Sequence, residues 1–398
     1  MARLWDKGLP LDERILRFTA GEDHKLDERL VAYDARASIA HARMLEKQQL
    51  LRAADCNAIC SGLEALAAAH AAGEWSIELA DEDAHSALER RLTERIGEAG
   101  GRVHLGRSRN DQVLVALRLY LRDAIDALAK ATDGVVAALD RVAAEQGGVA
   151  LPGYTHMQPA MPSSVELWAR GFGAELADDR AALQRVLHRT ELNPLGSAAG
   201  YGVPGLPLDR EATRAALGFA RTQEPVTAVQ LSRGKAEAAL VFEIAVLLGD
   251  LGRLASDLLL FYTSEFAYVS LPAEMTTGSS IMPQKRNPDV FELVRGSQAT
   301  ALGGLQEILG LTAKLTSGYH RDLQRVKAPL FRSIDLASDV LAIMAHALPN
   351  VRFRPENIEL PPELYAAEQA NELVVKQGLP FREAYRRIAA LLKGKAGS

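Results

Sequence analysis

The chain has 398 residues, of which 46 are Lys or Arg and 51 are Asp or Glu, so its formal net charge is −5. This length exceeds what one compact core normally organises and predicts two or three domains. The nearly balanced charge, with no basic stripe, argues against a nucleic acid partner.

The distribution of apolar residues does not predict a membrane protein. The start, residues 1–14, is charged and has no apolar signal core. The most apolar run, residues 238–252, is interrupted by Glu243 and Asp250, so it is unsuited to crossing a bilayer. We therefore expect a soluble, cytoplasmic protein with no membrane partner.

The first hundred residues contain cysteines and a histidine cluster that we interpret as structural. Cys56 and Cys60 are the two cysteines, and their spacing of four places both on one helical face, where reduced and buried thiols are expected. The nearest approach to a metal set is Asp83, His85 and Glu89, which lacks the spacing of known metal motifs. The chain has no phosphate-binding glycine motif either. We predict no metal and no cofactor.

Five long helices are predicted from apolar residues that recur at spacings of three, four or seven. The first carries such residues at 114, 117, 121, 125, 128, 135, 139 and 142, and would have about ten turns. The second begins at a capping box, Ser-Ser-Val-Glu at 163–166, and continues to Leu187. The third covers 240–261, and the fifth covers 330–348.

The fourth helix is predicted to open with Asn287 as its N-cap and Pro288 at its first position, where the missing N–H has no cost. Its predicted apolar stripe comprises Leu293, Leu302, Leu305, Ile308 and Leu315.

These helices, with no alternating strand pattern between them, predict an all-α protein built on a bundle. We expect an N-terminal helical domain at 1–106, a central long-helix bundle at 107–349 and a short C-terminal helical domain at 350–398. Apolar stripes this long usually find partners, so we also expect oligomerisation through the central domain.

Three polar, cationic segments interrupt the helical pattern at the ends of long helices. They are GRVHLGRSRNDQ at 101–112, LPGYTHMQPAMPSS at 151–164 and TTGSSIMPQKRNPD at 276–289. The first places Ser108, Arg109 and Asn110 directly before a helix, where cations and free backbone N–H groups suit an anion. A solvated helix cap with Asp111 in the first turn explains that segment equally well. In the second, His156 taken alone is as well explained as a hydrogen-bonded turn residue.

Together the three segments resemble the signature regions of the argininosuccinate lyases, within the fumarase/aspartase superfamily. GSSIMPQKRNPD at 278–289 is similar to the superfamily signature, GRSRNDQ at 106–112 to the argininosuccinate lyase version of its loop, and GYTHMQ at 153–158 to the histidine loop of the family. Further similar segments are DAHSALERRL at 83–92, NPLGSAAGYG at 193–202 and SGYHRDLQRVK at 317–327. The resemblance covers roughly residues 30–345, with the order of the motifs intact.

This resemblance implies a homotetramer with a core of twenty helices, five from each subunit, in which every active site combines the three loops from three different subunits. It also implies the β-elimination of argininosuccinate to fumarate and L-arginine. That reaction removes a proton beside a carboxylate, which is a very weak acid, so the developing negative charge must be stabilised.

The resemblance assigns Ser279 as the base that takes the carbon-bound proton. Lys285 and Asn287, with the backbone N–H groups of residues 278–280, would stabilise the resulting dianionic carboxylate. An alcohol is a poor base unless its oxyanion is stabilised, which the glycine-flanked loop and Lys285 could do.

His156, oriented by Glu292, is implied to protonate the leaving guanidine nitrogen, because histidine side chains titrate near neutral pH. The reverse assignment, with His156 as base and Ser279 as acid, stays open, because the sequence defines chemical groups and not which proton each one reaches. Glu292 is alternatively only a first-turn acid that the helix dipole favours.

Further residues are assigned to binding by the resemblance. Those that would hold the succinate carboxylates and neighbouring polar groups are Ser108, Arg109, Asn110 and Thr155. Those that would bind the arginine or carboxylate end are Tyr319, Gln324 and Lys327. His85, with Asp83 and Glu89, would lie near the site or form a structural hydrogen-bond network.

The chain departs from the family pattern in two places. Family members commonly have a substrate-binding serine in an Asn-rich loop after an early Phe, whereas here Phe18 leads into TAGEDHKLD, where Asp23 is the candidate replacement. Typical members also continue well beyond the segment seen here as PFREAY at 380–385, so we expect a trimmed third domain.

Two other functions are consistent with these residues. One is a sibling lyase that releases fumarate from a different succinyl-amine, which the GRSRND loop disfavours but which the altered Phe18 segment and the short C-terminus leave open. The other is a catalytically silent structural protein like the lens crystallins of this superfamily, against which Ser279, His156, Lys285 and Glu292 argue.

Overall fold

The computed structural model describes residues 12–395, with side chains as far as Leu392. The charged start discussed above, residues 1–14, lies mostly outside the described residues. Within the described part, no helix is long and apolar enough to cross a membrane.

Most of the described chain is α-helical, which confirms the predicted all-α class. The helices are α1 Glu13–Ala20, α2 Asp23–Leu26, α3 Val31–Lys47, α4 Ala53–Ala71, α5 Ala84–Ile96, α6 Glu98–Gly101, α7 Arg109–Gln146, α8 Val165–Arg185, α9 Leu187–Thr190, α10 Arg210–Leu217, α11 Ala228–Leu231, α12 Lys235–Tyr262, α13 Asp289–Thr312, α14 Lys327–Ala347, α15 Ala366–Gln377 and α16 Phe381–Lys395. Short 3-10 helices occupy Asp27–Leu30, Arg102–His104, Ala273–Met275, Arg321–Val326, Leu348–Asn350, Pro355–Asn357 and Pro362–Tyr365.

The strands of the described chain form small two-stranded pairs. They are β1 Ala150–Thr155 with β2 Gln158–Ser164, β3 Leu192–Asn193 with β4 Arg221–Thr222, and β5 Val269–Ser270 with β6 Arg352–Phe353. The first and third pairs are antiparallel and the second is parallel. The segment 151–164, predicted only as a non-helical interruption, is therefore a β-hairpin.

The five predicted long helices are present as α7, α8, α12, α13 and α14. All eight apolar positions predicted on α7, from Leu114 to Val142, are buried. On α12 the six predicted leucine and isoleucine positions are fully buried as well. Spacings of three, four and seven identify the buried side of these helices because that side faces the core along their whole length.

Two predicted helix starts are wrong by one residue. Strand β2 continues through Ser164, so α8 begins at Val165, and the hydroxyl of Ser164, not Ser163, accepts from the N–H of Leu167. At α13 the helix begins at Asp289, and the side-chain amide of Asn287 donates to the carbonyl of Gly278 (3.4 Å) instead of capping the helix.

The predicted apolar stripe of α13 is also partly wrong. The side chains that α13 buries include Phe291, Val294, Ala301 and Ile308. Leu293 and Leu302 are 75% and 48% exposed, and Leu309 is 51% exposed, so apolar side chains on both flanks of the buried stripe lie open.

The described chain divides into two compact units. Unit 1 comprises residues 12–129, 182–245 and 300–336, and unit 2 comprises 130–181, 246–299 and 337–395. The predicted boundaries near 106 and 349 stay a prediction.

A core cluster in unit 1 fixes the position of α5. Leu88 and Leu92 of α5 pack with Ile59 and Leu63 of α4, and Gly62 allows the close approach, since a Cβ there would lie 2.5 Å from Leu92. Cys56 and Cys60 are buried as free thiols, as predicted, and burial together with Cys60 raises the pKa of Cys56 to about 12. The first turn of α5 is thereby held rigidly, and it carries His85.

Candidate functional site

Unit 1 contains a cavity of about 150 Å³ that is lined by charged side chains of both signs. Its anionic lining residues are Asp23, Asp27, Glu82 and Asp83, and its cationic ones are Arg109, Arg233, Arg321 and Lys327. His85, Asn110, Tyr319 and Gln324 complete the polar lining. The cavity thus brings together eight residues that were predicted from the sequence: Asp23, Asp83, His85, Arg109, Asn110, Tyr319, Gln324 and Lys327.

His85 lies between two buried carboxylates. Its Nε2 is 3.0 Å from Asp83 and its Nδ1 is 3.5 Å from Asp34. Burial alone would lower the pKa of His85, but Asp83 and Asp34 raise it to about 9. Burial would likewise raise the pKa of Asp83, but His85 and Arg109 hold it well below its usual value. The imidazole is therefore protonated at neutral pH.

The contact of Arg109 Nε with His85 Nε2, at 3.3 Å, would require that imidazole nitrogen to accept a hydrogen bond. A protonated imidazole has no acceptor. Since Asp83 is the nearer partner of Nε2, we regard the Arg109 contact as packing and not as a hydrogen bond. Glu89, grouped with His85 in the sequence analysis, pairs with His104 (3.4 Å) instead.

The charge state of His85 makes protein stability depend on pH. Its folded pKa exceeds the ordinary value of 6.5, so its stabilising contribution is complete below about pH 6.5 and is lost as pH rises through about 9. We expect the stability difference between wild type and His85→Gln to shrink by about 2–3 kcal/mol across that window. Denaturant unfolding at pH 6 and pH 10 measures it.

His346→Gln, a change at an exposed position of α14, is the matched control and should show no such window. A His85→Gln difference that stays constant with pH would contradict the charged pairing of His85 with Asp83.

Glu82 joins two arginines at the cavity. Its carboxylate lies 3.1 Å from Arg321 and 3.6 Å from Arg109, which also pairs closely with Asp83. Glu82 has a φ of 69°, a left-handed conformation that is uncommon without glycine and that clusters at functional sites. The guanidinium groups of Arg109 and Arg321 are therefore held in fixed positions.

Lys327 is buried between two carboxylates of the N-terminal segment. Its Nζ is 2.5 Å from Asp27 and 3.0 Å from Asp23. Burial raises the pKa of Asp23 to about 7, although Lys327 opposes the shift. Asp23 is half-buried at the cavity in the segment where the family commonly has a serine, so a carboxyl group occupies the predicted departure.

The segment 106–112 positions Asn110 at the cavity through a buried aspartate. Asp111 is fully buried, and its carboxylate accepts from the N–H groups of Ser108 (3.0 Å), Gly196 (3.0 Å) and Ala198 (2.9 Å). The Ser108 hydroxyl accepts from the N–H of Asn110 (3.3 Å). Asp111 is therefore a link between two segments and not a solvated first-turn acid.

We expect Asp111→Ala to lower the free energy of unfolding by about 3–5 kcal/mol, because it leaves three buried backbone donors without an acceptor. Asp126→Ala, at an exposed position of the same helix α7, is the matched control and should change stability by less than about 0.5 kcal/mol. Denaturant unfolding of both variants checks this, and equal effects would contradict the linking role.

Tyr319 and Gln324 lie in the segment SGYHRDLQRVK at 317–327. The Gln324 amide donates to the carbonyls of Thr19 and Ala20, both at 3.0 Å, so it also fixes the N-terminal segment. The guanidinium carbon of Arg233 lies 5.7 Å from the centroid of the Tyr319 ring.

Unit 2 presents Thr155 and His156 at the tip of the β1–β2 hairpin. His156 and Met157 form its two-residue loop, with φ values of 53° and 60°. Two positive φ values are what a type I′ hairpin turn requires, and histidine tolerates this conformation better than most residues. Both Thr155 and His156 are exposed to solvent within the chain.

Unit 2 also carries the 276–289 segment as a closed loop. Thr277 and Asn287 form an antiparallel bridge, with N–H to O distances of 3.1 and 2.8 Å, and the loop between them holds Ser279 and Lys285. Lys285 is exposed, and so is Glu292 in the first turn of α13. Among residues 12–392, no hydrogen bond joins His156 to Glu292, so their pairing stays a prediction.

The chain is similar in sequence to known lyases. A family model described as Lyase matches residues 12–303. The argininosuccinate lyase of Sorangium cellulosum (strain So ce56) is 47% identical over 391 residues, which cover 98% of this chain and 90% of that protein. The argininosuccinate lyase of Stenotrophomonas maltophilia (strain R551-3) is 45% identical over 392 residues, covering 97% and 90%. The chain belongs to the argininosuccinate lyase family.

Solved structures agree with the fold of this argininosuccinate lyase family member. EDDS lyase in complex with formate has a TM-score of 0.81 and 27% identity, and the match covers 98% of this chain and 77% of that one. A class II fumarase from Schistosoma mansoni has a TM-score of 0.78 at 18% identity, covering 97% and 91%, and shows likeness of fold alone.

Sequence reasoning missed several residues of this argininosuccinate lyase family member that line or support the cavity: Asp27, Asp34, Glu82, Arg233 and Arg321. Asp23 and Asp27 are four residues apart, a spacing that brings side chains together on a helical turn and could have been noticed. Arg321 carried no local signal, because its partner Glu82 is 239 residues away in the chain.

Proposed function

We propose that this protein cleaves argininosuccinate to fumarate and L-arginine by β-elimination. The observation that carries the proposal is the 47% identity, over 98% of the chain, to a protein of that name. The cavity in unit 1 supports it chemically. A substrate with carboxylates, an amino group and a guanidinium needs partners of both signs, and the cavity offers four carboxylates and four cations.

In the proposed mechanism the Ser279 oxyanion takes a proton from the succinyl carbon beside a carboxylate. The electron pair left on that carbon is delocalised into the carboxylate, where Lys285 and Asn287 stabilise the charge. It then forms the double bond of fumarate as the bond from the neighbouring carbon to nitrogen breaks. His156 donates a proton to the departing guanidine nitrogen, and Glu292 orients the imidazole.

Substrate binding is proposed for the residues around the unit 1 cavity and the hairpin tip. Ser108, Arg109, Asn110 and Thr155 would hold the succinyl carboxylates. Tyr319, Gln324 and Lys327 would bind the arginine half, with His85 and Asp23 beside it.

We propose that the protein acts as a homotetramer whose sites each combine loops from three subunits. The cavity of about 150 Å³ is smaller than the roughly 300 Å³ of ordinary ligand pockets, so it would hold only part of the substrate. His156, Lys285 and Glu292 are exposed within one chain, whereas proton transfer and charge stabilisation need a water-excluded site.

The exposed apolar side chains of α13 further support association. Leu302 and Leu309 lie open on one side of this long helix and Leu293 on another, and exposed apolar surface marks protein interfaces. The partner we propose is a second copy of this chain, acting on a small metabolite in the cytoplasm.

One ultraviolet assay with purified protein tests the reaction. Fumarate should appear when argininosuccinate is added. Fumarate from a different succinyl-amine alone would favour a sibling lyase, and no fumarate from any of them would favour a silent, crystallin-like protein.

A substrate whose leaving group needs no proton distinguishes the role of the proposed acid from that of the proposed base. Chlorosuccinate can eliminate chloride to give fumarate, so it requires a base and no acid. We expect His156→Gln to lose about 10²–10⁴-fold in kcat on argininosuccinate and much less on chlorosuccinate. Ser279→Ala should be slow on both, and the opposite pattern would reverse the two roles.

A further inference from the structure

Arg233 is a buried cation of the unit 1 cavity without a carboxylate partner. It lies between α11 and α12, is 7% exposed and lines the cavity together with Asn110 and Tyr319. Its Nη1 has no hydrogen-bond partner among the described residues, and its guanidinium makes no ion pair with them.

The other cations of this cavity are paired. Arg109 contacts Asp83, Arg321 contacts Glu82, and Lys327 contacts Asp23 and Asp27. A buried charge without a partner is strongly unfavourable, because removal from water is not compensated. The unpaired guanidinium of Arg233 therefore points to an anion that arrives with the ligand.

The turn that carries Arg233 is held on both sides. The Ser232 hydroxyl accepts from Arg118 Nη2 at 2.8 Å. Gly234 has a φ of 81°, and a Cβ there would lie 2.4 Å from Thr312, so only glycine fits. The guanidinium is thus positioned in advance of binding, which favours affinity because less freedom is lost.

A second buried arginine adds to the positive potential at this point. Burial lowers the pKa of Arg118 to about 10, with Glu237 opposing the shift and Arg233 adding to it. Arg118 is occupied by the carbonyl of Leu192 and the hydroxyl of Ser232, so its own donors are satisfied. Arg233, which lines the cavity, keeps a buried Nη1 that no described neighbouring group satisfies.

We propose that Arg233 binds a carboxylate of the substrate directly and thereby selects for substrates that carry it. A guanidinium presents paired N–H groups that match the two oxygens of a carboxylate. The inference rests on the proposed function, and both halves of argininosuccinate carry carboxylates. Tyr319, beside Arg233, would keep the ligand carboxylate out of water and strengthen the contact.

Calorimetric binding to the intact oligomer tests this with two pairs of probes. L-arginine and agmatine differ in one carboxylate, as do fumarate and its monoamide. In the wild type, the fully carboxylated member of one pair should bind more tightly than the other member of that pair. Arg233→Gln should weaken that member about 10- to 100-fold and leave its partner unchanged. The pair that responds identifies the half of the substrate that Arg233 contacts.

Two further variants separate binding from folding. Arg233→Lys should restore part of the lost affinity because it retains the charge. Arg332→Gln, which removes an exposed arginine paired with Glu307, is the matched control and should leave binding unchanged. The melting temperature of Arg233→Gln should be equal to or above that of the wild type, since an uncompensated buried charge is removed.

The inference is overturned if Arg233→Gln binds both carboxylated probes as the wild type does, or if all four probes weaken equally together with a lower melting temperature. Fumarate release by the wild type is measured in an activity assay, independently of the binding experiments. Normal release with an unchanged kcat/KM in Arg233→Gln would reject the inference alone, whereas no release by the wild type would reject the proposed function.

Discussion

Lys285→Ala is expected to lower kcat by about 10²–10³-fold while the fold and its stability stay unchanged. The expected loss is large because the proposed charge on the substrate carboxylate develops only in the transition state, where a preorganised cation acts most strongly. Stability should not change, because Lys285 is exposed and makes no side-chain ion pair or hydrogen bond with other residues in the 12–392 range. Fumarate release and a thermal melt measure the two effects.

Arg286→Ala is the matched control, since Arg286 is the next cation on the same exposed loop and no role is proposed for it. It should leave kcat within about twofold of the wild type. Near-normal turnover in Lys285→Ala, or an equal loss in both variants, would mean that the loop acts through its overall charge or not at all.

The periodic part of the fold was predictable from the sequence because one physical rule governs it. A helix packed along its length buries one stripe, so α7 and α12 revealed their buried positions through spacing alone. The same rule failed on α13, where Leu293 and Leu302 are exposed while Phe291 and Val294 are buried. Apolar residues lie around most of this helix, so their spacing does not identify one buried side.

Helix starts were less predictable because a capping motif competes with tertiary structure. The serines at 163 and 164 are both suitable caps, and the length of strand β2, which continues through Ser164, decides between them. Likewise, Asn287 closes the loop against Thr277 in preference to capping α13.

The site was predictable where a motif is local and unpredictable where partners are distant in sequence. GRSRNDQ placed Arg109 and Asn110 at the cavity, but nothing near them indicated that Asp111 binds the N–H groups of Gly196 and Ala198. Arg233 lies in the turn between α11 and α12, and its unpaired state becomes visible only when every neighbour has a position.

Mixing two inactive variants is expected to restore activity if the sites are shared between subunits. Ser279→Ala and His156→Ala should each be nearly inactive as homotetramers. The two variants are dissociated reversibly and reassembled at random. A site that takes Ser279 and His156 from different chains is then intact when the chain supplying Ser279 carries His156→Ala and the chain supplying His156 carries Ser279→Ala. About a quarter of the sites should meet that condition, so activity should recover to about 25% of the wild type.

The recovered fraction distinguishes between architectures because it depends on how many chains contribute. If Ser279 and His156 of one site come from the same chain, every site in the mixture keeps one defect and no activity returns. A mixture of Ser279→Ala with Lys285→Ala is the matched control, since both changes lie on one loop and cannot complement each other whichever subunit supplies it. Recovery in this control would contradict the idea that the loop acts as one element, and absence of recovery in the first mixture would contradict the shared site. His156 and Lys285, which are exposed in the single chain, would then have to be shielded from water in another way, such as by movement of their own loops over the substrate.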